Sequence, residues 1–367
     1  MMKKKEVIVV SGINFFEGGP LSIMKDALNS LSTKYADKYK IIALVHRKNV
    51  YEIENIEFVE FPKSRTSWFF RLYYEYVYFK KFSKKIKPTY WISMHDITPN
   101  VISKHQFVYC HNPAPFFNPK KSDIKYSFNT FLFSKLYKYL YRINIYKNTS
   151  IIVQQDWLRN EFQKKWKLKN IIVAHPENEH QKSNTVTKEK AKESMKSLIY
   201  PGFPRSFKNF EIICEAFKQL EPAYQKKLKI YLTLDEGLNK YARDVVLKYK
   251  KHANIVFTGL LKREEVFEYY NSVDGLVFPS RLETWGLPLS EFKSYNKPII
   301  AARLPYAFET IGNYDKAAYF DPNNSEELSK LFKNFIDNIL DFEQVKREES
   351  SQTIVKGWES LFAEIIQ

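Results

Sequence analysis

Strand-length apolar segments alternate with longer segments of helical periodicity along almost the whole chain of 367 residues. This alternation predicts parallel β-sheets with helices packed on their faces. Residues 177–196 interrupt the pattern, because they are almost entirely polar, and the alternation then restarts. We therefore predict an α/β protein of two Rossmann-like domains joined by a surface segment, as the chain length also favours.

The strands and helices expected from this pattern fall into two series. The first has strands at residues 5–11, 41–46, 56–61, 90–94, 106–110, 150–153 and 171–174, and helices at 20–32 and 68–86. The second has strands at residues 198–200, 229–234, 255–258, 275–278 and 298–301, and helices at 209–220, 243–249, 262–272, 288–295, 325–340 and 351–366.

Composition narrows the possible classes of protein. The two cysteines, Cys110 and Cys214, are too few for a disulfide framework or a cysteine-built zinc site. No apolar run approaches the length that a bilayer demands, and we expect a cytoplasmic protein.

The net charge of +17 lies entirely in residues 1–175, which contain 30 Lys and Arg and 13 Asp and Glu. Residues 176–367 contain 28 basic and 28 acidic residues. Such asymmetry indicates two domains with different partners.

Three of the ten glycines lie between the first strand and the first helix, at Gly12, Gly18 and Gly19. Glycine lets a ligand approach the backbone closely, and the start of a helix attracts anions. A phosphate or diphosphate is therefore the expected ligand. The spacing fits neither G-x-G-x-x-G nor a Walker A loop. A tight turn without a ligand would have the same composition.

A second candidate segment, residues 281–291, follows the predicted strand at 275–278. Pro288 suits the first turn of a helix, which would leave the N–H groups of Gly286 and Leu287 available to a phosphate. Glu283 precedes the helix and Glu291 lies about one turn inside it. The two carboxylates can therefore bind different parts of one nucleotide sugar. Acidic residues favoured by the helix dipole are the simpler alternative.

Residues 281–291 resemble the E-x7-E motif of retaining glycosyltransferases of the GT-B fold, family 4. The resemblance implies that Glu283 faces the donor sugar and that Glu291 binds the ribose hydroxyls. It also implies that Gly286 and Leu287 donate backbone hydrogen bonds to the donor diphosphate. Residues 201–209 are similar to the segment of that family in which an Arg and a Lys clamp the diphosphate.

The clamp corresponds here to Lys208 and Arg205, although the Arg usually stands farther upstream. Two cations suit this role because charge accumulates on the departing diphosphate. The resemblance also implies that Gly18 and Gly19 form the glycine loop near the diphosphate and that His111 faces the donor. The catalytic set is thus Glu283, His111, Arg205 and Lys208.

His95 and Asp96 follow the predicted strand at 90–94, and we expect them on the acceptor side. The resemblance assigns residues 1–177 to an acceptor domain and 178–345 to a donor domain. Residues 346–367, which contain Trp358, resemble the helix that crosses back to the first domain. No D-x-D pair occurs in the chain, and we expect no metal and no cofactor beyond the nucleotide diphosphate sugar.

Two basic segments are rich in aromatic residues. Residues 63–87 hold eight Lys and Arg beside Glu75, and residues 120–147 hold seven beside Asp123. Such segments suit an anionic membrane surface or single-stranded nucleic acid, and their rings can equally pack inside a domain. We favour the membrane and no nucleic acid, with a lipid-linked glycan as acceptor at the inner face of the cell membrane.

The predicted function is a retaining hexosyltransferase of polysaccharide or O-antigen biosynthesis. A nucleotide-sugar epimerase of the same fold is one alternative, and it would release free nucleotide and sugar without an acceptor. A basic nucleic-acid-binding protein is another, and it leaves residues 279–291 unexplained. A degenerate GT-B subunit that binds a partner is the third.

Overall fold

The computed structural model of the protein describes residues 5–126, 128–176, 195–345 and 354–367. These residues form two compact units. The first comprises the described residues within 1–116, 135–177 and 350–367, and the second those within 117–134 and 178–349. Of the predicted polar connection at 177–196, residues 177–194 lie outside the described residues, and Lys196 already belongs to a strand, Lys196–Tyr200. Residues 117–134 are predicted in the first domain, but the structure assigns them to the second unit.

The strands of the first unit all run parallel. In chain order they are β1 (Glu6–Gly12), β2 (Tyr39–Val45), β3 (Ile56–Glu60), β4 (Tyr90–Ser93), β5 (His105–Cys110), β6 (Ser150–Val153) and β7 (Ile171–His175). The second unit has β8 (Lys196–Tyr200), β9 (Leu228–Leu232), β10 (Ile255–Phe257), β11 (Gly275–Phe278), β12 (Ile299–Ala302) and β13 (Ala317–Phe320). A last strand, β14 (Ile354–Lys356), returns to the first unit.

Two separate sheets result. The first has eight strands in the order β14-β7-β6-β5-β4-β1-β2-β3, and the second has six in the order β10-β9-β8-β11-β12-β13. The strands of the second sheet also pair in parallel. In each sheet the strand order reverses direction beside the first strand of the unit, and this reversal is the topological switch point. It lies between β1 and β4 in the first sheet and between β8 and β11 in the second. Ligands of open α/β sheets bind at the carboxyl ends of strands near such a point.

The helices that cover the sheets are, in chain order, α1 (Gly18–Tyr35), α2 (Trp68–Tyr73), α3 (Phe79–Ile86), α4 (Lys121–Tyr126), α5 (Phe128–Arg142), α6 (Asp156–Trp166), α7 (Phe210–Gln219), α8 (Pro222–Gln225), α9 (Lys240–Tyr249), α10 (Arg263–Ser272), α11 (Leu287–Phe292), α12 (Pro305–Ile311), α13 (Ser325–Ile336) and α14 (Gly357–Ile365). The single helix predicted at 68–86 is broken by a π-helical turn, Tyr74–Tyr78.

Alternation along β1 explains how the first sheet is buried on both faces. Ile8 and Val10 pack with Leu28 of α1 and Phe362 of α14 in one apolar cluster. Val7 and Val9 point to the opposite face and pack in the cluster that contains Trp91. A parallel sheet covered on both faces needs such continuous apolar strands.

Side-chain contacts explain why residues 117–134 belong to the second unit. On α4, Lys125 Nζ lies 2.9 Å from Asp244 Oδ2, and the ring of Tyr126 lies 5.1 Å from that of Tyr241. Asp123 is buried there too, at 2% exposure of its side chain. These partners are remote in sequence, so local pattern does not reveal them.

The end of the chain joins the first unit. The single helix predicted at 351–366 is β14 followed by α14, with residues 351–353 outside the described part. Strand β14 pairs with β7, and α14 packs against α1, with Lys34 Nζ 3.0 Å from Glu359 Oε2. Among the residues that the structure describes, no helix combines the length and the apolar character needed to cross a membrane.

Candidate active site

The second unit brings Lys208 and Glu283 into direct contact. The Lys208 ammonium donates to Oε1 of Glu283, and the two side chains are 19% and 14% exposed. Lys208 ends a 3-10 turn, Ser206–Lys208, that follows β8, and Glu283 lies in the loop that follows β11. Because β8 and β11 are neighbours at the switch point, the two loops meet at the carboxyl edge of the sheet.

A tyrosine of β8 fixes the backbone beneath this pair. The Tyr200 hydroxyl is buried and donates to the Lys208 carbonyl at 2.9 Å. Burial raises the pKa of Tyr200 well above its usual value, and the nearby charge of Glu283 raises it further. Tyr200 therefore remains a neutral donor at physiological pH, and it anchors Lys208 to the sheet.

Arg281 and Asp123 hold the same loops together from beneath. Nη1 and Nη2 of Arg281 donate to Oδ2 and Oδ1 of Asp123 at 3.1 and 2.5 Å, and Nη2 also donates to the Ser206 carbonyl at 3.1 Å. The Arg281 N–H donates to the Phe207 carbonyl at 2.8 Å. A bidentate pair adds geometric specificity as well as energy. The pair therefore sets the position of the turn that carries Lys208.

Arg205 lies at the start of the same turn, but its side chain is exposed. Its guanidinium carbon lies 5.7 Å from the ring centre of Phe203 and 5.9 Å from that of Phe207. The structure thus brings Lys208 to Glu283 and leaves Arg205 stacked between two rings at the surface.

Gly286 and Leu287 form the beginning of α11. Gly286 has φ +79°, a left-handed conformation that strains any residue with a side chain, and a Cβ there would lie 3.3 Å from Leu289 Cδ1. The first N–H groups of a helix lack an intrahelical partner. Glu291 lies inside α11 with Oε1 3.5 Å from Arg263 Nη2, and burial raises the pKa of its carboxyl.

In the first unit, Gly18 and Gly19 begin α1 and are exposed. Gly18 has φ +67°, and a Cβ added at either glycine would meet no atom within 4 Å. The loop is therefore open to a ligand at both positions. Backbone conformation requires glycine at Gly18, whereas Gly19 has neither a left-handed φ nor a crowded Cβ position.

Asp96 and His111 lie together at the ends of β4 and β5. Oδ1 of Asp96 accepts from the N–H groups of His111 and Asn112 at 2.9 and 3.1 Å, and Oδ2 lies 4.0 Å from Nε2 of His111. Asp96 has φ +69°. Strained residues of this kind cluster at functional sites. The His111 side chain is 14% exposed and its ring lies 5.5 Å from that of Phe15.

His95 is buried, and its partner is Glu75 of the π-helical turn. Oε1 of Glu75 lies 3.0 Å from Nε2 of His95, with both side chains at most 2% exposed. Nη2 of Arg71 donates to the His95 carbonyl at 3.4 Å. Burial by itself would lower the pKa of Arg71. The pKa is nevertheless raised, because Tyr137, Glu75 and Asp96 lie close to the guanidinium. His95 and Asp96 thus support the loop from inside the unit.

Sequence reasoning missed Arg281, Asp123, Arg71 and Glu75 as supporting residues. One signal was available: Glu75 is the only acidic residue of the basic segment 63–87, and Asp123 is the only one of the basic segment 120–147. Both are buried beside an arginine. A solitary carboxylate in a basic segment is therefore a sign of a buried counter-ion, since a buried acid needs a partner. Within the described ranges, no group of three or more His, Cys, Asp and Glu is placed to hold a metal ion.

Comparison with known proteins adds to this geometry. Residues 181–350 match the family described as "Glycosyl transferases group 1". A curated relative, the serotype-specific mannosyltransferase WbdA of Escherichia coli, is 23% identical over 154 residues, which is 41% of this chain. The matched part is only 19% of the length of that relative.

Solved structures resemble nearly the whole chain. The lipopolysaccharide outer core galactosyltransferase WaaB in its apo form has a TM-score of 0.64 at 10% identity, with 92% of each chain covered. Anabaena Alr3699/HepE in complex with UDP-glucose has a TM-score of 0.57 at 12% identity, with 90% of each chain covered. The α/β fold is therefore GT-B, with two Rossmann-like units, and the family match supports a group 1 glycosyltransferase.

Proposed function

We propose that the protein is a retaining hexosyltransferase that uses a nucleotide diphosphate sugar and no metal ion. The observation that carries the proposal is the Lys208–Glu283 contact at the switch point of the second sheet. It lies within the residues that match the group 1 family. A UDP-glucose complex of a protein with the same fold supports the donor class.

The two charges of this contact have separate roles during transfer. When the donor binds, the Lys208 ammonium pairs with the donor diphosphate instead of with Glu283. The Glu283 carboxylate can then accept hydrogen bonds from the donor sugar. The bond from the anomeric carbon to the diphosphate oxygen breaks as the acceptor oxygen forms its bond on the same face, and the proton of the acceptor hydroxyl passes to the leaving diphosphate oxygen. Lys208 and Arg205 stabilise the charge that accumulates on the leaving diphosphate.

The backbone completes the donor site. The N–H groups of Gly286 and Leu287 donate to the diphosphate, and Glu291 accepts from the ribose hydroxyls. The first unit has its own groups of this kind: the loop at Gly18 and Gly19 leaves backbone open to a phosphate, and His111 can donate a hydrogen bond to a sugar or phosphate oxygen. Asp96 holds the backbone of His111 in place for this contact.

We assign the acceptor to a hydroxyl of a growing, lipid-linked cell-surface glycan, used at the cytoplasmic face of the membrane. The support is chemical. Trp68, Phe69 and Tyr73 of α2 are 48%, 74% and 40% exposed in a segment rich in Lys and Arg. Aromatic rings beside cations suit an anionic membrane interface. By their names, WaaB is a lipopolysaccharide outer core galactosyltransferase and WbdA is a serotype-specific mannosyltransferase.

The test is transfer of labelled hexose from UDP-, GDP- and dTDP-sugars to membrane glycolipid. Glu283→Ala should melt at the wild-type temperature and lose at least about 100-fold in transfer, because it removes a contact made to the reacting sugar. Glu264→Ala, in the exposed first turn of α10, is the matched control and should transfer normally.

Each alternative outcome has a clear meaning. Wild-type turnover in the Glu283→Ala variant would remove Glu283 from the mechanism. Release of free nucleotide and sugar without any acceptor would indicate the epimerase-like enzyme instead. Binding of oligonucleotides without any response to nucleotide sugars would indicate a nucleic-acid-binding protein.

A further inference from the structure

The first unit contains a cavity of about 490 Å³ whose charged lining is entirely cationic. Its cations are Lys138 and Arg142 of α5 and Lys165 and Lys167 at the end of α6. The remaining lining residues are three aromatics, Tyr139, Tyr146 and Trp166. A volume of this size accommodates a small ligand rather than a single ion.

The carboxylates of the described residues do not form ion pairs with this cluster. Over the residues that the structure describes, none of the four cations lies within ion-pair distance of an acid. Lys165 Nζ instead donates to the Pro115 carbonyl at 3.3 Å and lies 5.2 Å from the ring centre of Phe116. Burial lowers the pKa of Lys165, Lys138 lowers it further by repulsion, and Glu161 alone opposes them.

The helix dipole accounts for part of this arrangement. Cations are favoured in the last turn of a helix, where Arg142 of α5 and Lys165 of α6 lie. Lys138 lies one turn earlier, and Lys167 lies beyond the end of α6. Capping therefore does not explain why all four line the same cavity.

The cavity lining includes neither His111 nor Gly18, although Lys165 donates to the carbonyl of Pro115 on the loop that follows His111. Tyr146 precedes the start of β6 by four residues, and Lys167 precedes the start of β7 by four. They thus lie at the amino edge of the parallel strands. His111 and Gly18 follow the carboxyl ends of β5 and β1. A ligand in this cavity therefore contacts side chains other than His111 and Gly18.

The rim is aromatic as well as basic. Tyr139 and Tyr146 are 59% and 65% exposed, and the Tyr146 hydroxyl donates to the Trp166 carbonyl at 3.1 Å. Lysine and arginine are the side chains that bind phosphate, and exposed tyrosines can pack against a polyol. We propose that this cavity is a second ligand site that binds a phosphate ester of a polyol, such as a glycerol phosphate group.

The proposal does not rest on transferase activity, and binding alone tests it. The full chain is titrated with glycerol 3-phosphate in solution. It is then sedimented with vesicles of phosphatidylcholine alone, or of equal parts phosphatidylcholine and phosphatidylglycerol. The two arms distinguish a soluble phosphate ester from a lipid headgroup.

The decisive variant is Lys138→Gln/Arg142→Gln/Lys165→Gln. The matched control is Lys135→Gln/Lys164→Gln/Lys169→Gln, which makes the same charge change at exposed residues outside the cavity lining. We expect the cavity variant to lose at least about tenfold in affinity for whichever probe the wild type binds. The control should bind nearly as the wild type does.

Every outcome decides the proposal. Binding of glycerol 3-phosphate, or of the phosphatidylglycerol vesicles alone, supports it when only the cavity variant loses affinity. An equal loss in both triple variants would attribute binding to surface charge and overturn it. Failure of the wild type to bind either probe would also overturn it. Equal melting temperatures of the two variants show that folding is not the cause.

Discussion

In the second unit, two cations at the candidate site are paired with carboxylates. Arg281 is held by both oxygens of Asp123, and Lys208 contacts Glu283. In the first unit, the cavity at the end of α5 and α6 gathers four cations with no acid among its lining residues. Paired charges hold the side chains in one geometry before a ligand binds. Cations without a paired carboxylate can instead attract an anionic ligand.

The largest expected effect comes from breaking the buried pair of the second unit. Asp123→Ala leaves the Arg281 guanidinium buried without its carboxylate and should lower the free energy of unfolding by about 3–5 kcal/mol. Urea unfolding measures this change. Asp244→Ala, whose partner Lys125 is exposed, is the control and should unfold close to the wild type. Equal losses of unfolding free energy in the two variants would show that burial does not increase the contribution of the Arg281–Asp123 pair to stability.

The corresponding contact of the first unit is the Asp96 turn. Asp96→Ala removes the acceptor of two N–H groups and places alanine at φ +69°. We expect a loss of about 2–4 kcal/mol in the free energy of unfolding, since each of the two effects costs about 1–3 kcal/mol. Asp96→Asn keeps an oxygen acceptor and tolerates this backbone, so it should recover most of the loss. Two variants of equal stability would contradict the role given to the Asp96 carboxyl.

The smallest expected effect depends on pH and concerns Glu215 of α7. Burial tends to raise the pKa of its carboxyl, but hydrogen bonds from Lys248 and Tyr249 lower it from 4.5 to about 2. Between these values the unfolded chain binds a proton that the folded protein does not bind. The contribution of Glu215 to stability is therefore present above pH 4.5 and is lost as the pH falls toward 2.

The measurement is thermal unfolding of the wild type and of Glu215→Gln across this range. The wild type should be the more stable protein at neutral pH, and the difference should disappear near pH 2. A difference that is independent of pH would show that the matched charges around Glu215 do not control its titration.

The sequence predicted both parallel sheets, because apolar β-branched segments such as β1 carry a strong local signal. It predicted a helix over 288–295 from Pro288, which is a local signal, and the structure begins α11 one residue earlier, at Leu287. The Arg281–Asp123 pair joins residues that are 158 positions apart, and no local pattern encodes it. The π-helical turn at Tyr74–Tyr78 and the short strand β14 were also missed, because tertiary contacts, rather than periodicity, determine them.

The most direct test of the donor site in the second unit is a thermal-shift titration with UDP, GDP, dTDP and CMP. A ligand present at 100 times its dissociation constant adds about 2.7 kcal/mol to the stability of the folded protein. We predict that one nucleoside diphosphate stabilises the wild type and the exposed control Lys240→Ala, and that Lys208→Ala loses the response. Stabilisation by no nucleotide, or an undiminished response in Lys208→Ala, would contradict the account.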